Sequence, residues 1–434
     1  MKQRLQNILF WSIISAAFIG PGTVTTAAAA GSGFGYNLIW ALIFSTVACF
    51  VLQEASARLT TVSGLNLGQA MKQEFSGTIQ GKGVTWLALI AILSGCIAFE
   101  TGNIMGAVAG VQLIAEIPAH WIALLTGLIA ALILWFGSIS QIAKILGSVV
   151  ALMGLCFAGT ALLMRHSLTD LLTSAFIPAV PAGAEILVLG LIGTTVVPYN
   201  IFLGSGLKHT QTSSEMRLSL MIAIGLGGLI SIAVLLTGTA VSGSFTFDGL
   251  SDALSDQLGG WAGWMLAAGL LGAGLSSTLT AALAASVTAK SILRNEENRK
   301  DWDETGFRFR SIWIAVLAIG LFFGILGLQP VPVIILAQAL NGIILPVIAI
   351  ILFLLMNNDN VLPASYQNGL LYNIFTGIVV YTTVLIGLTN LSKALTSLTG
   401  IPLADQRLII ISSIVVFIIL LKPILSRYFK VETK

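Results

Sequence analysis

Twelve apolar runs, each long enough for a helix that crosses a bilayer in about 20 residues, dictate what this chain can become. They fall at about 8–31, 36–59, 84–115, 119–138, 142–164, 185–206, 217–243, 262–290, 310–328, 331–356, 370–390 and 407–425. A spanning barrel would instead show period-2 segments of about ten residues, so the fold class is an all-α membrane protein of about 12 transmembrane helices. Composition agrees: 56% of the 434 residues are hydrophobic and 9% charged, against roughly a quarter charged in a soluble domain. No stretch between the runs is long enough to fold alone, so residues 1–434 read as a single transmembrane domain.

Basic residues accumulate on the cytoplasmic side of membrane proteins. With the N-terminus placed inside, only Arg165, Lys393 and Arg407 of the 21 Lys and Arg fall outside. Both termini are then expected in the cytoplasm, and the expected location is a bacterial cytoplasmic (inner) membrane. The net charge of +3 is topological and calls for no nucleic-acid partner. The loop at about 291–309 reads as a solvated mixed-charge stretch, and the basic start with Lys2 and Arg4 leads into a retained first helix rather than a cleaved leader. Cys49, Cys96 and Cys156 lie in apolar runs without Cys-x-x-Cys spacing and read as buried thiols.

Two runs break the rule that a membrane helix should be continuous. The first contains Gly20-Pro21-Gly22 followed by Thr23, Thr25 and Thr26; the sixth contains Thr194-Thr195-Val196-Val197-Pro198-Tyr199-Asn200. Proline removes a backbone donor and glycine loosens the helix beside it, and such breaks persist at membrane depth where protein or a water-lined cavity covers them. The breaks lie five spans apart. That odd offset gives them opposite orientations, as in an inverted repeat with spans 1–5 (8–164) and 6–10 (185–356) as halves and 370–425 as two extra helices. Such folds hold substrate at the midplane between the broken helices. Pro346, with no polar neighbours on its C-terminal side, reads as a plain kink.

At these breaks the chain resembles the Nramp metal-ion transporter family. Gly20-Pro21-Gly22-Thr23, continuing through Ala30-Gly31-Ser32-Gly33-Phe34-Gly35-Tyr36, falls without a gap on that family's Asp-Pro-Gly-Asn segment and its Ala-Gly-x-x-Phe-Gly-Tyr continuation. Gln53 with Ala57-Arg58-Leu59 and Ser63-Gly64 matches the end of its second span, and Gly193 to Asn200 lies on its Met-Pro-His segment. Ser276-Ser277-Thr278-Leu279-Thr280 and Gln338-Ala339-Leu340-Asn341-Gly342 resemble its eighth and tenth spans. The resemblance implies a leucine-transporter-like fold with alternating access, and uptake of divalent metal ions, often with protons.

The metal-holding positions depart from the family pattern. The family's aspartate is Gly20 here, its asparagine Thr23, its methionine Val197 and its histidine Tyr199. What remains for a metal is the Thr23 hydroxyl and, if the backbone is unwound as in the family, the Thr194 carbonyl. Two neutral oxygens do not dehydrate a divalent ion, so a partly hydrated Mg2+ or Mn2+ is the expected cargo. The candidate substrate-binding set is Gly20, Thr23, Thr194, Val197, Tyr199 and Asn200 with Gln338 and Asn341, whose amides share a face at i, i+3.

An ionisable group inside a span is costly. Glu100 matches a glutamate of the family's third span and reads either as a structural carboxyl or as the proton-coupling group. Glu54 and Arg58, one turn apart, read as a local pair and as a candidate gate; His166 and His209 sit at span ends. No phosphate loop, His-x-x-x-His pair or nucleophile with a base appears, so an enzyme is not expected and no cofactor is implied. The function read from the sequence is secondary active transport of a divalent cation. A small organic or zwitterionic solute on the same fold is the alternative, and a non-transporting receptor or scaffold the second. The expected partners are the transported ion or solute and the lipid bilayer.

Overall fold

The computed structural model describes residues 19–136, 139–206, 213–399 and 406–429. The first half of the first span lies outside them, as do Lys2, Arg4, Lys208, His209, Lys430 and Lys434 and the side chains of Lys144, Lys393, Lys422 and Arg427. The helices are α1 Pro21–Phe34, α2 Ile39–Ser63, α3 Leu67–Phe75, α4 Ile79–Gln112, α5 Ala119–Phe136, α6 Ile139–Leu163, α7 Leu168–Phe176 and α8 Glu185–Thr195. They continue as α9 Pro198–Gly206, α10 Ser213–Gly238, α11 Phe247–Leu258, α12 Trp261–Leu293, α13 Phe307–Ile325, α14 Pro330–Leu355, α15 Leu370–Thr399 and α16 Gln406–Phe429.

Among the described residues ten helical stretches are long and apolar enough to cross a membrane, with α8 and α9 counted together, and Arg407–Leu421 is a shorter apolar helix. These match the second to eleventh expected spans and the twelfth. Three short helices were not foreseen: α3, α7 and α11 have no long apolar run and occupy connections. Local chemistry starts them all the same, since Asn66 and Gln69 form a reciprocal capping box on α3, while Ser167 and Thr246 cap α7 and α11.

The two breaks arise where the sequence placed them. α1 starts at the break itself, with Pro21 in the first turn, where a missing N–H costs nothing, and Gly20 as an extended N-cap. In the sixth span, Pro198 disfavours helical geometry at the residue before it; α8 stops at Thr195, Val196 leaves the helix at φ −100° and ψ 78°, and α9 begins at Pro198. Pro346, by contrast, sits inside a continuous α14 and packs against Gly387 of α15.

Helix α4 is the spine of the bundle and packs along α12, α14 and α13, while α8 lies against α14 and α1 against α10. Glycine permits the closest crossings. A Cβ on Gly193 of α8 would collide with the backbone of Gln338, and one on Gly342 would meet the Leu189 carbonyl. Close approach of this kind is how helices associate where the surrounding lipid is as apolar as their own side chains. The three cysteines are buried. In the 291–309 loop the charges lie outside, but a 3-10 turn at Arg299–Trp302 buries Trp302 to 2% exposure, so the stretch is anchored rather than wholly solvated.

Candidate functional site

The helix breaks meet through two hydroxyls. Thr23 lies one turn into α1 and Thr194 at the end of α8, and their Oγ1 atoms are 2.9 Å apart, a buried hydrogen bond between residues 171 positions distant in sequence. Backbone geometry puts Thr23 there, because Thr23 N–H and Val24 N–H both donate to the Gly20 carbonyl and close the first turn on the N-cap. The last turn of α8 leaves carbonyls without an intrahelical partner, as every helix end does. The site therefore receives the negative end of α8 and the positive ends of α1 and α9.

Around this bond lies a shell of neutral polar groups. Gln338 of α14 packs on Gly22 and near Gly190, and a Cβ on Gly20 would lie 3.2 Å from Ser277 Oγ of α12. Neither amide atom of Asn200 or Gln338, nor the hydroxyl of Thr26 or Ser277, has a hydrogen-bond partner among the described residues. Buried polar atoms are nearly always paired. Here six such side-chain atoms are not, close to the helix breaks. Every residue of the expected substrate set is buried, so the conformation is closed over the site.

The expected residues do not all converge. Val197 and Tyr199 are 1% exposed, and the Tyr199 ring meets Phe99 edge-on with centroids 5.3 Å apart, so Tyr199 serves as packing beside the break. Asn341 turns away from Gln338: its amide donates to the Ala337 carbonyl at 3.1 Å and to Gly95 of α4 at 3.4 Å. A shared face at i, i+3 put both amides on one side of α14, but the neighbouring glycines then drew them to different helices. Ser277 and Thr26 were visible in sequence only as members of motifs.

Glu100 is fully buried on α4, and neither carboxyl oxygen has a hydrogen-bond partner among the described residues. The Thr278 hydroxyl of α12 stands beside it, and Gly320 of α13 abuts its Cγ, where a Cβ would lie 2.5 Å away. Asn103, one turn on, leaves its Nδ2 unpartnered as well.

Glu54 and Arg58 are an ion pair, Nε to Oε1 3.2 Å, but not an isolated one. Arg217 of α10 reaches the same oxygen at 2.8 Å, and the Tyr372 hydroxyl of α15 donates to Oε2 at 2.5 Å. Arg58 also donates to the Tyr366 carbonyl at 2.8 Å and to Asn368 Oδ1 at 2.6 Å. One carboxylate thus ties α2, α10 and α15 together. At the opposite margin, Tyr36 pairs with His166 at 3.0 Å, which makes His166 a tie between loops, as its span-end position implied.

Comparison with known proteins places this arrangement. A family model described as natural resistance-associated macrophage protein-like matches residues 12–393. A divalent metal cation transporter MntH of Caldanaerobacter subterraneus subsp. tengcongensis is 26% identical over 365 residues, 80% of this chain and 83% of that protein. The MntH of Deinococcus radiodurans is 26% identical over 76% of each. Among solved structures, a variant of the Eremococcus coleocola manganese transporter superposes with a TM-score of 0.69 at 19% identity, covering 96% of this chain and 92% of that one. The same transporter with an aromatic bis-isothiourea compound gives 0.71 at 18% identity, over 98% and 93%.

Proposed function

This chain belongs to the Nramp family, with its leucine-transporter-like inverted repeat and two broken helices, and from that premise we propose that it carries a divalent cation across a bacterial cytoplasmic membrane with both termini inside. The observation that carries the reading is the Thr23–Thr194 contact, with the unpartnered side chains of Gln338 and Ser277 set against the neighbouring Gly22 and Gly20. The relatives named as divalent metal cation transporters supply the cargo class. Thr23, Thr194 and the carbonyls at the end of α8 offer oxygen only, the ligand type for Mg2+ and Mn2+ rather than for softer ions. Among the described residues no group of three His, Cys, Asp or Glu side chains comes together to hold a metal. An ion held by neutral oxygens keeps part of its water shell, and Asn200, Gln338 and Ser277 are placed to hydrogen-bond those waters. Residues 8–164 and 185–356 are the two moving halves, 370–425 flank them, and Glu100 is the proton-exchanging group.

A second reading draws on one feature. The N-terminus of α1 has no side-chain cap and opens on the site, a geometry that also receives a substrate carboxylate. One experiment separates the two: proteoliposomes loaded with an ion-sensitive dye and challenged with Mg2+, Mn2+, Ca2+ and Cd2+, in parallel with radiolabelled amino acids. Saturable Mg2+ or Mn2+ flux supports the first reading. Flux no greater than that of empty vesicles for every ion overturns it.

A further inference from the structure

Away from the breaks, α5 and α13 leave between them an apolar groove of about 820 Å³ on the outside of the bundle. It runs from Trp121 at one end of α5 to Trp135 and Phe136 at the other, about 21 Å at 1.5 Å per residue, longer than the ~15 Å hydrocarbon depth of one leaflet. Leu128 and Leu132, half or more exposed, form one wall, and Ile314 and Leu317 of α13 belong to the other. Trp121 lies at one end and Trp135 at the other, and an indole at the Trp135 end suits the boundary between hydrocarbon and headgroups. The Trp135 end is also basic. Arg310 lies over the Trp135 ring, its Cζ 4.0 Å from the centroid. Among the described residues its guanidinium makes no ion pair and no hydrogen bond, whereas the neighbouring Arg308 is spent on Asp301 at 3.2 Å.

We propose that this groove is a specific site for one anionic phospholipid, its phosphate on Arg310 and one acyl chain laid between α5 and α13. A guanidinium over an indole leaves N–H groups for an anion, and its fork matches a phosphate with two parallel hydrogen bonds. A zwitterionic lipid brings the same chains but cancels the charge at this end with its own amine. The groove thus reads chain and charge together, and it is separate from the transport site.

The test is native mass spectrometry of the intact purified chain titrated with phosphatidylglycerol and phosphatidylcholine of identical acyl chains. Phosphatidylglycerol should be retained about fivefold more than phosphatidylcholine, the discrimination one basic residue near the headgroups provides. Arg310→Gln should bring the ratio to parity, while Arg308→Gln, whose side chain is already paired, should leave it standing. Ala131→Trp, which fills the groove, should lower retention of both lipids. Equal retention of the two lipids by the unaltered chain overturns the proposal, whether or not the variants fold. So does an undiminished preference in Arg310→Gln, or displacement of the lipid by inorganic phosphate alone.

Discussion

Thr23 and Thr194 join the two broken helices through a single 2.9 Å contact between their hydroxyl oxygens. In an inverted repeat the halves must move past each other around the substrate, and this bond crosses between them. An ion between the breaks would compete with this bond, since either hydroxyl can turn a lone pair to a cation once the other lets go.

Thr194→Val keeps the shape and removes that bond. Polar contacts between membrane helices are worth about 0.6 kcal/mol on average and up to about 1.7, so the variant should fold with a melting temperature lowered by no more than a few degrees. Divalent-ion uptake should fall much further, since an oxygen offered to the ion goes with it. Uptake at the parent rate in proteoliposomes would remove Thr194 from the site.

Restoring Asp at Gly20, Asn at Thr23 and Met at Val197 together supplies a carboxylate, an amide and a thioether at the matched positions. Gly20 has φ −89°, which any residue adopts, but its new Cβ would sit 3.2 Å from Ser277 Oγ, so the hydroxyl must give by a few tenths of an ångström. The triple variant should gain Mn2+ and Cd2+ binding by calorimetry, and adding Ser277→Ala should strengthen it. No gain over the parent in either background would show that the pocket geometry, and not only the ligand set, has diverged.

How much of this was legible in sequence depended on the range of the signal. Proline and glycine act within a few residues, so Pro21 and Pro198 located both breaks, while Pro346 lies inside a continuous helix. Twenty-residue apolar runs are equally local and gave the spans. The short helices α3, α7 and α11 escaped because nine to twelve residues with mixed polarity look like loop until a cap such as Asn66 is weighed. Partnerships across the bundle were invisible: nothing near Glu54 announces Arg217 or Tyr372, 163 and 318 residues away. The divergence of Gln338 and Asn341 likewise depended on Gly22 and Gly95, which lie on other helices.

Glu100→Gln preserves volume and hydrogen-bonding capacity and removes the only acid of the polar cluster on this face of α4. Gly320 holds the side chain in place from behind, so the variant should insert and fold as the parent does. Transport should lose most of its dependence on pH between about 5 and 8, measured as initial uptake across a pH series. A profile that superposes on the parent's would make Glu100 a structural carboxyl and leave the coupling proton to another group. Gly320→Ala is the steric companion: it should lower stability by forcing Glu100 aside, without abolishing the pH response.

The Glu54 cluster makes the sharpest quantitative ordering. Glu54 is 1% exposed and Arg58 7% by side chain, but Arg217 is 51% exposed. Removing one member of a buried pair leaves an uncompensated charge and costs about 3–5 kcal/mol, whereas a half-exposed partner is screened and contributes about 1 kcal/mol or less. Glu54→Gln should therefore destabilise most, because it strands Arg58; Tyr372→Phe, which forfeits one hydrogen bond to a carboxylate, should cost about 1.5–3 kcal/mol; Arg217→Gln should cost least. Thermal melts of the three variants in detergent check the order, and equal losses for Glu54→Gln and Arg217→Gln would mean that the carboxylate is solvated. Uptake distinguishes a gate from a brace. The cluster joins α2, α10 and α15, so a gate must break it once per cycle. Tyr372→Phe, which keeps both charges, should then change the initial uptake rate at least twofold when assayed well below its own melting temperature. An unchanged rate would leave Glu54 and Arg58 as a structural anchor.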